Sequence, residues 1–217
     1  MKIEIKGLSK SYGRLKIYEN LNLNLEGGKM IVLYGQSGCG KTTLLNMIGL
    51  IEDYQGGKIL YDGEEIRSYK KKRKMLRDKF GFIFQDFGLI ENESIINNLK
   101  VVYKVSKMKD ATTQAEEVLK QMNLNVNLKR KIYELSGGEQ QRVAIAKAIL
   151  KDAQIILADE PTASLDEENK MQVLSWLKAF AAQGKNVIVV SHDAGVRELA
   201  DEVINLEEYR YKGEMEA

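Results

Sequence analysis

The chain holds a single cysteine, and one thiol cannot close an internal disulfide, so a disulfide-stapled secreted scaffold is excluded and a reducing compartment such as the cytosol is expected. Long apolar runs are missing too. No stretch approaches the roughly 18 consecutive apolar residues that a membrane-spanning helix requires. The opening MKIEIKGLSK alternates charged and apolar residues and lacks the apolar centre of a signal peptide. If the protein works at a membrane, a partner has to cross it. Charge imbalance is equally absent: 33 lysines and arginines stand against 31 acids, and a net charge of +2 gives no reason to expect a nucleic-acid partner. Neither an internal repeat nor a low-complexity linker interrupts the sequence.

What is present is an ordinary globular composition, 44% hydrophobic and 29% charged over 217 residues, enough for one compact unit with a sizeable core. Four short apolar runs stand out: MIVLY before Gly35, GFIF before Gln85, IIL with Ala158 before Asp159, and VIVV before Ser191 and His192. Such runs read as strands buried on both faces of a parallel sheet. In a parallel sheet all carboxyl ends share one edge, so the polar residues that follow these runs are expected to converge there. The segment from Lys2 to about Glu26 and GGKILYDGEEI (Gly56–Ile66) alternate instead, with glycine turns, as in a smaller antiparallel sheet beside the core. TTQAEEVLKQMNL is helical in period, and residues 87–150 are read as a helical insertion between 1–86 and 151–217. DEENKMQVLSWLKAFAAQGK reads as a helix with Met171, Leu174, Leu177 and Phe180 on one face, closed by Gly184. Trp176 lies off that stripe as a partly buried packing residue. The expected fold class is α/β, a single domain over residues 1–217 with a mainly parallel sheet, a flanking antiparallel part and a helical subdomain.

GQSGCGKT, Gly35 to Thr42, fits the phosphate-loop pattern and sits where the mechanism needs it, after a strand and before the helix-like TLLNMIGL. Glycines let backbone amides wrap phosphates, Lys41 neutralises the β and γ groups, and the Thr42 hydroxyl would ligate magnesium. Asp159 and Glu160 would otherwise read as a helix start. On the same sheet edge, Asp159 would hold magnesium through water and Glu160 would orient or deprotonate the attacking water. A lone histidine is more often a core or surface residue than a catalytic one, but His192 at the end of NVIVVSHD is placed to reach a γ phosphate. Gln85 offers magnesium a neutral oxygen. Cys39 fits the curve of the loop, with a redox switch as the minor alternative. Pro161 stops the preceding strand, and KKKRKMLRDK (Lys70–Lys79), without interleaved aromatics, is a solvated helix face.

A second anion site follows from ELSGGEQQRVAIAKAIL. Ser136 and Glu139 have the spacing of a capping box, while Gly137 and Gly138 leave the positive end of the helix uncovered. Nothing near it in sequence supplies a phosphate.

Together, GQSGCGKT, LSGGEQQ and ILADEPTASLD resemble the ATP-binding cassette (ABC) ATPases over nearly the whole chain. The resemblance implies a P-loop core and a head-to-tail homodimer around two Mg-ATP, in which Ser136, Gly137, Gly138 and Glu139 close the site of the other copy. It implies that Tyr12 stacks on adenine. It further implies that Gly35, Gln36, Ser37, Gly38, Cys39, Gly40, Lys41, Thr42 and Thr43 hold the phosphates and that Thr42, Gln85 and Asp159 hold magnesium. Glu160, His192, Gln85 and Lys41 would carry the catalysis, and Asp166 would communicate across the dimer. RDKFGFIFQDFGLIENESIINNL and ILADEPTASLD are similar to the branch serving macrolide exporters, lipoprotein-release systems and bacteriocin exporters. That likeness implies a cytoplasmic subunit on the inner face of a membrane, with Phe84 to Leu99 receiving a helix of a separate permease. Ala163 and Ser164 depart from the glycine and asparagine frequent there, and no proline precedes ELSGGEQQ.

Competing readings remain at this level: a cell-division or peptide-sensing complex that moves no cargo, a soluble ABC clamp, and a small-molecule kinase. The short insertion, the single cassette and the lack of heptads disfavour the clamp. A kinase has no use for LSGGEQQ.

Overall fold

Each of the four apolar runs becomes a strand of one parallel sheet. The computed structural model describes residues 1–102, 110–163 and 165–211; Ser164 lies outside the described residues. The strands are β3 (Met30–Tyr34), β6 (Phe80–Ile83), β7 (Ile155–Asp159) and β8 (Asn186–Val190), and a fifth, β9 (Glu202–Asn205), completes the order β6-β7-β8-β3-β9. Register is regular: Val32 lies opposite Val189, and Leu157 opposite Ile188. Sequence reading missed β9 because it is a four-residue edge strand with Val203 exposed, which leaves no long apolar run to detect.

Alternate residues of these strands serve two different cores, as the two-residue period of a strand requires. Ile31, Leu33, Ile155, Leu157, Ile188 and Val190 face the antiparallel sheet and helix α1 (Lys41–Ile48). Met30, Val32, Ile156, Ala158, Val187 and Val189 face the other way, onto a second cluster with the longer helices. Burial of both faces is why the runs lack polar alternation. At about 1.5–3 kcal/mol for each fully buried Val, Leu or Ile side chain, these strands are a main source of stability.

The antiparallel sheet has the order β2-β1-β4-β5, with β1 at Ile3–Tyr12, β2 at Leu15–Leu25, β4 at Gly56–Tyr61 and β5 at Glu64–Glu65. Here alternation survives, since only one face is covered: Ile3, Ile5, Leu21, Leu23, Leu25 and Ile59 point inward. The lysine-rich run is helix α2 (Tyr69–Asp78), capped by Ser68 and with no buried residue, so it is the solvated face that its composition indicates.

Between β6 and β7 the described chain is helical, with α3 (Ile95–Lys100), α4 (Ala111–Gln121) and α5 (Gly137–Leu150). Helix α5 packs against α3 and α4 and also returns onto β6. Helix α6 (Glu167–Ala182) begins at Asp166, whose side chain accepts from Asn169 N, and is closed by Gly184 at φ +82°. Leu174, Leu177 and Phe180 are buried as expected, and Trp176 is half-buried against the same cluster. Met171 is a correction: it is exposed, and Val173 takes the inward position, because the buried stripe of α6 starts one turn later. A short helix, α7 (Ala194–Glu198), links β8 to β9.

Leu174→Ala is expected to cost about 2–5 kcal/mol in chemical denaturation, whereas Met171→Ala stays within about 0.5 kcal/mol. Equal losses would return Met171 to the core face.

Candidate active site

All five carboxyl ends of the parallel strands meet on one edge, and every sequence-selected polar residue after a strand lies there. Gln85 follows β6, Asp159 and Glu160 end β7, His192 follows β8, and the loop from Gly35 to Gly40 joins β3 to α1.

The loop is held from below. Tyr18 of β2 is buried and donates its hydroxyl to the Cys39 carbonyl at 3.2 Å. Cys39 is buried with its Sγ packed on Gly35, where a Cβ would stand 2.7 Å from the sulfur. A thiol so enclosed fits the curve of the loop and is not a surface redox group. Gly40, at φ +95°, would place a Cβ 2.5 Å from Ile17 Cγ2, so only glycine closes the loop against β2. Gly38 is different: its φ is +79° and a Cβ there meets nothing within 4 Å, leaving open space over the loop. Lys41 bridges the loop, donating to the carbonyls of Gly35 at 2.8 Å and Gln36 at 3.0 Å. Gln36, Ser37, Gly38 and Thr42 are exposed, and Thr43 is half-buried.

Beside it, the Thr42 hydroxyl lies close enough to Asp159 to favour its charged form. Burial pushes the Asp159 carboxyl up from the usual carboxylate range; the Thr42 hydroxyl opposes this, the neighbouring Glu160 charge adds to it, and Lys41 opposes it. A partly buried acid in this state gains from any added cation. Glu160 has a left-handed backbone, φ +46°, held by a hydrogen bond from its amide to the Val190 carbonyl at 3.0 Å. That conformation is costly for a residue with a Cβ, and Pro161 follows directly, so the turn is imposed by its surroundings. Its result is a carboxylate 2.8 Å from His192 Nδ1. His192 is otherwise open, with 72% of its side chain exposed against 15% for Glu160.

The second anion turn has the expected capping box. Ser136 Oγ accepts from Glu139 N at 3.3 Å, and Glu139 Oε2 accepts from Ser136 N at 2.8 Å. The Glu139 carboxylate is thus engaged in its own helix start. The amides of Gly137 and Gly138 precede the first intrahelical bond, Gln140 N to Ser136 O. Tyr12 is half exposed; its hydroxyl donates to Glu52, and Lys10 stands 4.6 Å from the centre of its ring. Gln85 is exposed in the turn after β6, and Lys147 of α5 donates to Gly88 in that turn at 3.1 Å.

Sequence reading missed Glu207. Its carboxylate accepts from Gln36 N at 2.6 Å, reaching the phosphate loop from the turn after β9. No signal marks it, because its role depends on the unrecognised edge strand beside β3. It also missed Lys170, whose ammonium lies 2.6 Å from Asp193, next to His192.

Among known proteins, a model of the ABC transporter family matches residues 18–163. The chain belongs to the ABC transporter family. It is an ATPase cassette of that family, with the P-loop fold of its structural neighbours. MacB of Campylobacter jejuni, a macrolide export ATP-binding/permease protein, is 37% identical over 210 residues, covering 95% of this chain and 33% of MacB. The chain therefore spans about a third of the length of the macrolide-export relatives it matches. HrtA of Staphylococcus saprophyticus, a protein named for hemin import, is 37% identical over 216 residues, covering 96% of this chain and 97% of HrtA. Among solved structures, the ATP-binding cassette MJ0796, as a post-hydrolysis dimer bound to ADP and Pi, superposes with a TM-score of 0.84 at 33% identity, over 94% of this chain and 93% of that one.

Replacing Asp159 by Asn in this ABC cassette should raise the melting temperature without ligand while lowering magnesium-dependent ATP hydrolysis. The sign follows from the raised carboxyl. Its contribution to stability is full below the unfolded pKa and is lost as pH rises through the higher folded value, so at neutral pH the charge is a burden. The gain in melting temperature should therefore shrink toward acid pH. An unchanged or lower melting temperature at neutral pH would contradict it.

Proposed function

We propose that this cassette hydrolyses ATP at the sheet edge and that hydrolysis opens a head-to-tail dimer of two copies. The observation that carries the reading is the Glu160–His192 pair, 2.8 Å apart beside the phosphate loop. Lys41 is held on carbonyls of its own loop and swings to the β and γ phosphates when ATP enters. Tyr12 lies against the base. The backbone amides from Gly38 to Thr43 wrap the phosphates over the open face at Gly38.

Glu160 accepts the proton of the attacking water, and His192 holds the carboxylate and reaches the γ phosphate. A magnesium ion, which neutralises the developing phosphate charge, fits the residues present. Thr42, Asp159 and Gln85 supply hard oxygen ligands, and a cation there would offset the burial that holds the Asp159 carboxyl above the usual carboxylate range. With Thr42, Asp159 and Gln85 as its protein ligands, the ion would take its remaining ligands from the triphosphate and water.

Ser136, Gly137 and Gly138 bind the γ phosphate of the other copy, through charge-assisted hydrogen bonds of roughly 1.5–3 kcal/mol each. Loss of that phosphate weakens the bridge, and the dimer shifts toward its open state. The dimeric state of MJ0796 supports this arrangement.

We further infer a membrane partner. The support is that relatives are named for export or import, MacB as a permease as well; no helix among the described residues is itself long and apolar enough to cross a bilayer. Residues 84–99, whose turn after β6 exposes Gln85, Asp86, Gly88 and Ile90, receive a permease helix, and the cassette lies on the cytoplasmic face in this reading. The cargo in this reading is a peptide, drug or lipid-like molecule that is exported; the likeness to MacB, named for macrolide export, supports it, while HrtA, equally similar, is named for hemin import.

Glu160→Gln is expected to keep ATP binding, lower turnover on the order of 10²-fold and trap a dimer on size exclusion in ATP. Turnover at the level of the unmodified chain would remove Glu160 from the role of base. Purification of the tagged protein from gently solubilised native membranes should bring a membrane protein with it. Recovery of only soluble or ribosomal proteins would overturn the transport reading.

A further inference from the structure

The first turn of α6 carries two polar tethers on adjacent residues, and they lead to opposite ends of the machinery. Asn169 accepts from Arg142 of α5, one turn beyond the Ser136 anion site, and donates to Asp166, the cap of its own helix, at 2.8 Å. The next residue, Lys170, extends the other way. Its ammonium stands 2.6 Å from Asp193 Oδ2 and 3.5 Å from Glu167. The Lys170 side chain is only 12% exposed, so this pair is shielded more than an ordinary surface pair.

Asp193 directly follows His192 and also caps α7, accepting from Gly195 N at 2.7 Å. His192 itself is mostly solvent-exposed. Its direction therefore rests on how its loop is anchored. Beyond the sheet, the Lys170 ion pair ties that loop to another element, beside the Glu160 contact of His192 itself, while Asp193 N to Ser191 Oγ at 3.1 Å shapes the loop from within.

We propose that Lys170 is a positioning residue for hydrolysis, pinning the His192 loop to the start of α6 so that His192 holds Glu160 in place. The same helix start is tied to α5 through Asn169 and Arg142, so the pin links the turn that closes one nucleotide site to the histidine of the other. This inference rests on the roles given above to His192 and Glu160.

The test is steady-state ATP hydrolysis by the full chain and by Lys170→Met, Lys170→Arg, Asp193→Asn, the Met/Asn double variant and His192→Ala. Methionine keeps the length of the lysine stem, and asparagine at 193 still caps α7. Each single charge removal is expected to lower kcat about fivefold with KM for ATP within about twofold. The double variant should fall no further than either single, and Lys170→Arg should keep at least about half of the turnover.

An unaltered kcat in Lys170→Met, a multiplicative loss in the double variant, or a loss that lies in KM would overturn the proposal. Should one single variant lose its cooperative melt, the other and Lys170→Arg decide on the same criteria. Full turnover in His192→Ala would sink the reading of the site itself. A slow His192→Ala beside a normal Lys170→Met would sink only the pin.

Discussion

Parallel pairing of β7, β8 and β3 is the constraint on which everything else depends. Because both faces of these strands are buried, their register is fixed by two sets of apolar side chains, and a slip of one residue would exchange the two cores. The fixed register delivers five carboxyl ends to one edge, and with them groups that would repel or go unpaired elsewhere. Asp159 and Glu160 end one strand, His192 follows a second and Lys41 follows the loop after a third, yet the sheet brings Glu160 within 2.8 Å of His192 and the Lys41 charge close enough to act on Asp159. The rigid sheet also maintains what is locally unfavourable: a left-handed Glu160 before proline and a half-buried Asp159.

The site is built for charge that it does not contain. Lys41 rests on two carbonyls, Asp159 is held above its ordinary range by burial, and the amides of Gly137 and Gly138 come before the helix begins to bond to itself. Each of these groups would gain from a phosphate or a cation, which is what the proposed coupling of nucleotide binding to closure requires. Ser136 and Glu139 satisfy one another, so the anion turn is rigid before any ligand arrives.

Much of this was legible in the chain alone. The buried strands were readable because apolar runs ending in polar residues have few other meanings, and the phosphate loop because its glycines are dictated by backbone geometry at Gly35 and Gly40. The basic run at Lys70–Lys79 was readable as solvated because charge without aromatics rarely packs. Met171 was misread because an i, i+3 pattern does not say on which turn burial begins. Strand β9 was missed because four residues at an edge need only one good neighbour.

The sequence by itself determined the chemistry on offer and the order of strands and helices, since those follow from local pattern and from residue types with few alternatives. Tertiary structure alone decided which groups act as pairs. Glu207 on the Gln36 amide, Lys170 on Asp193 and Tyr18 beneath Cys39 join residues separated by 171, 23 and 21 positions. Their side chains are of common kinds, and a lysine or a glutamate carries no mark of its partner until the sheet brings the two together.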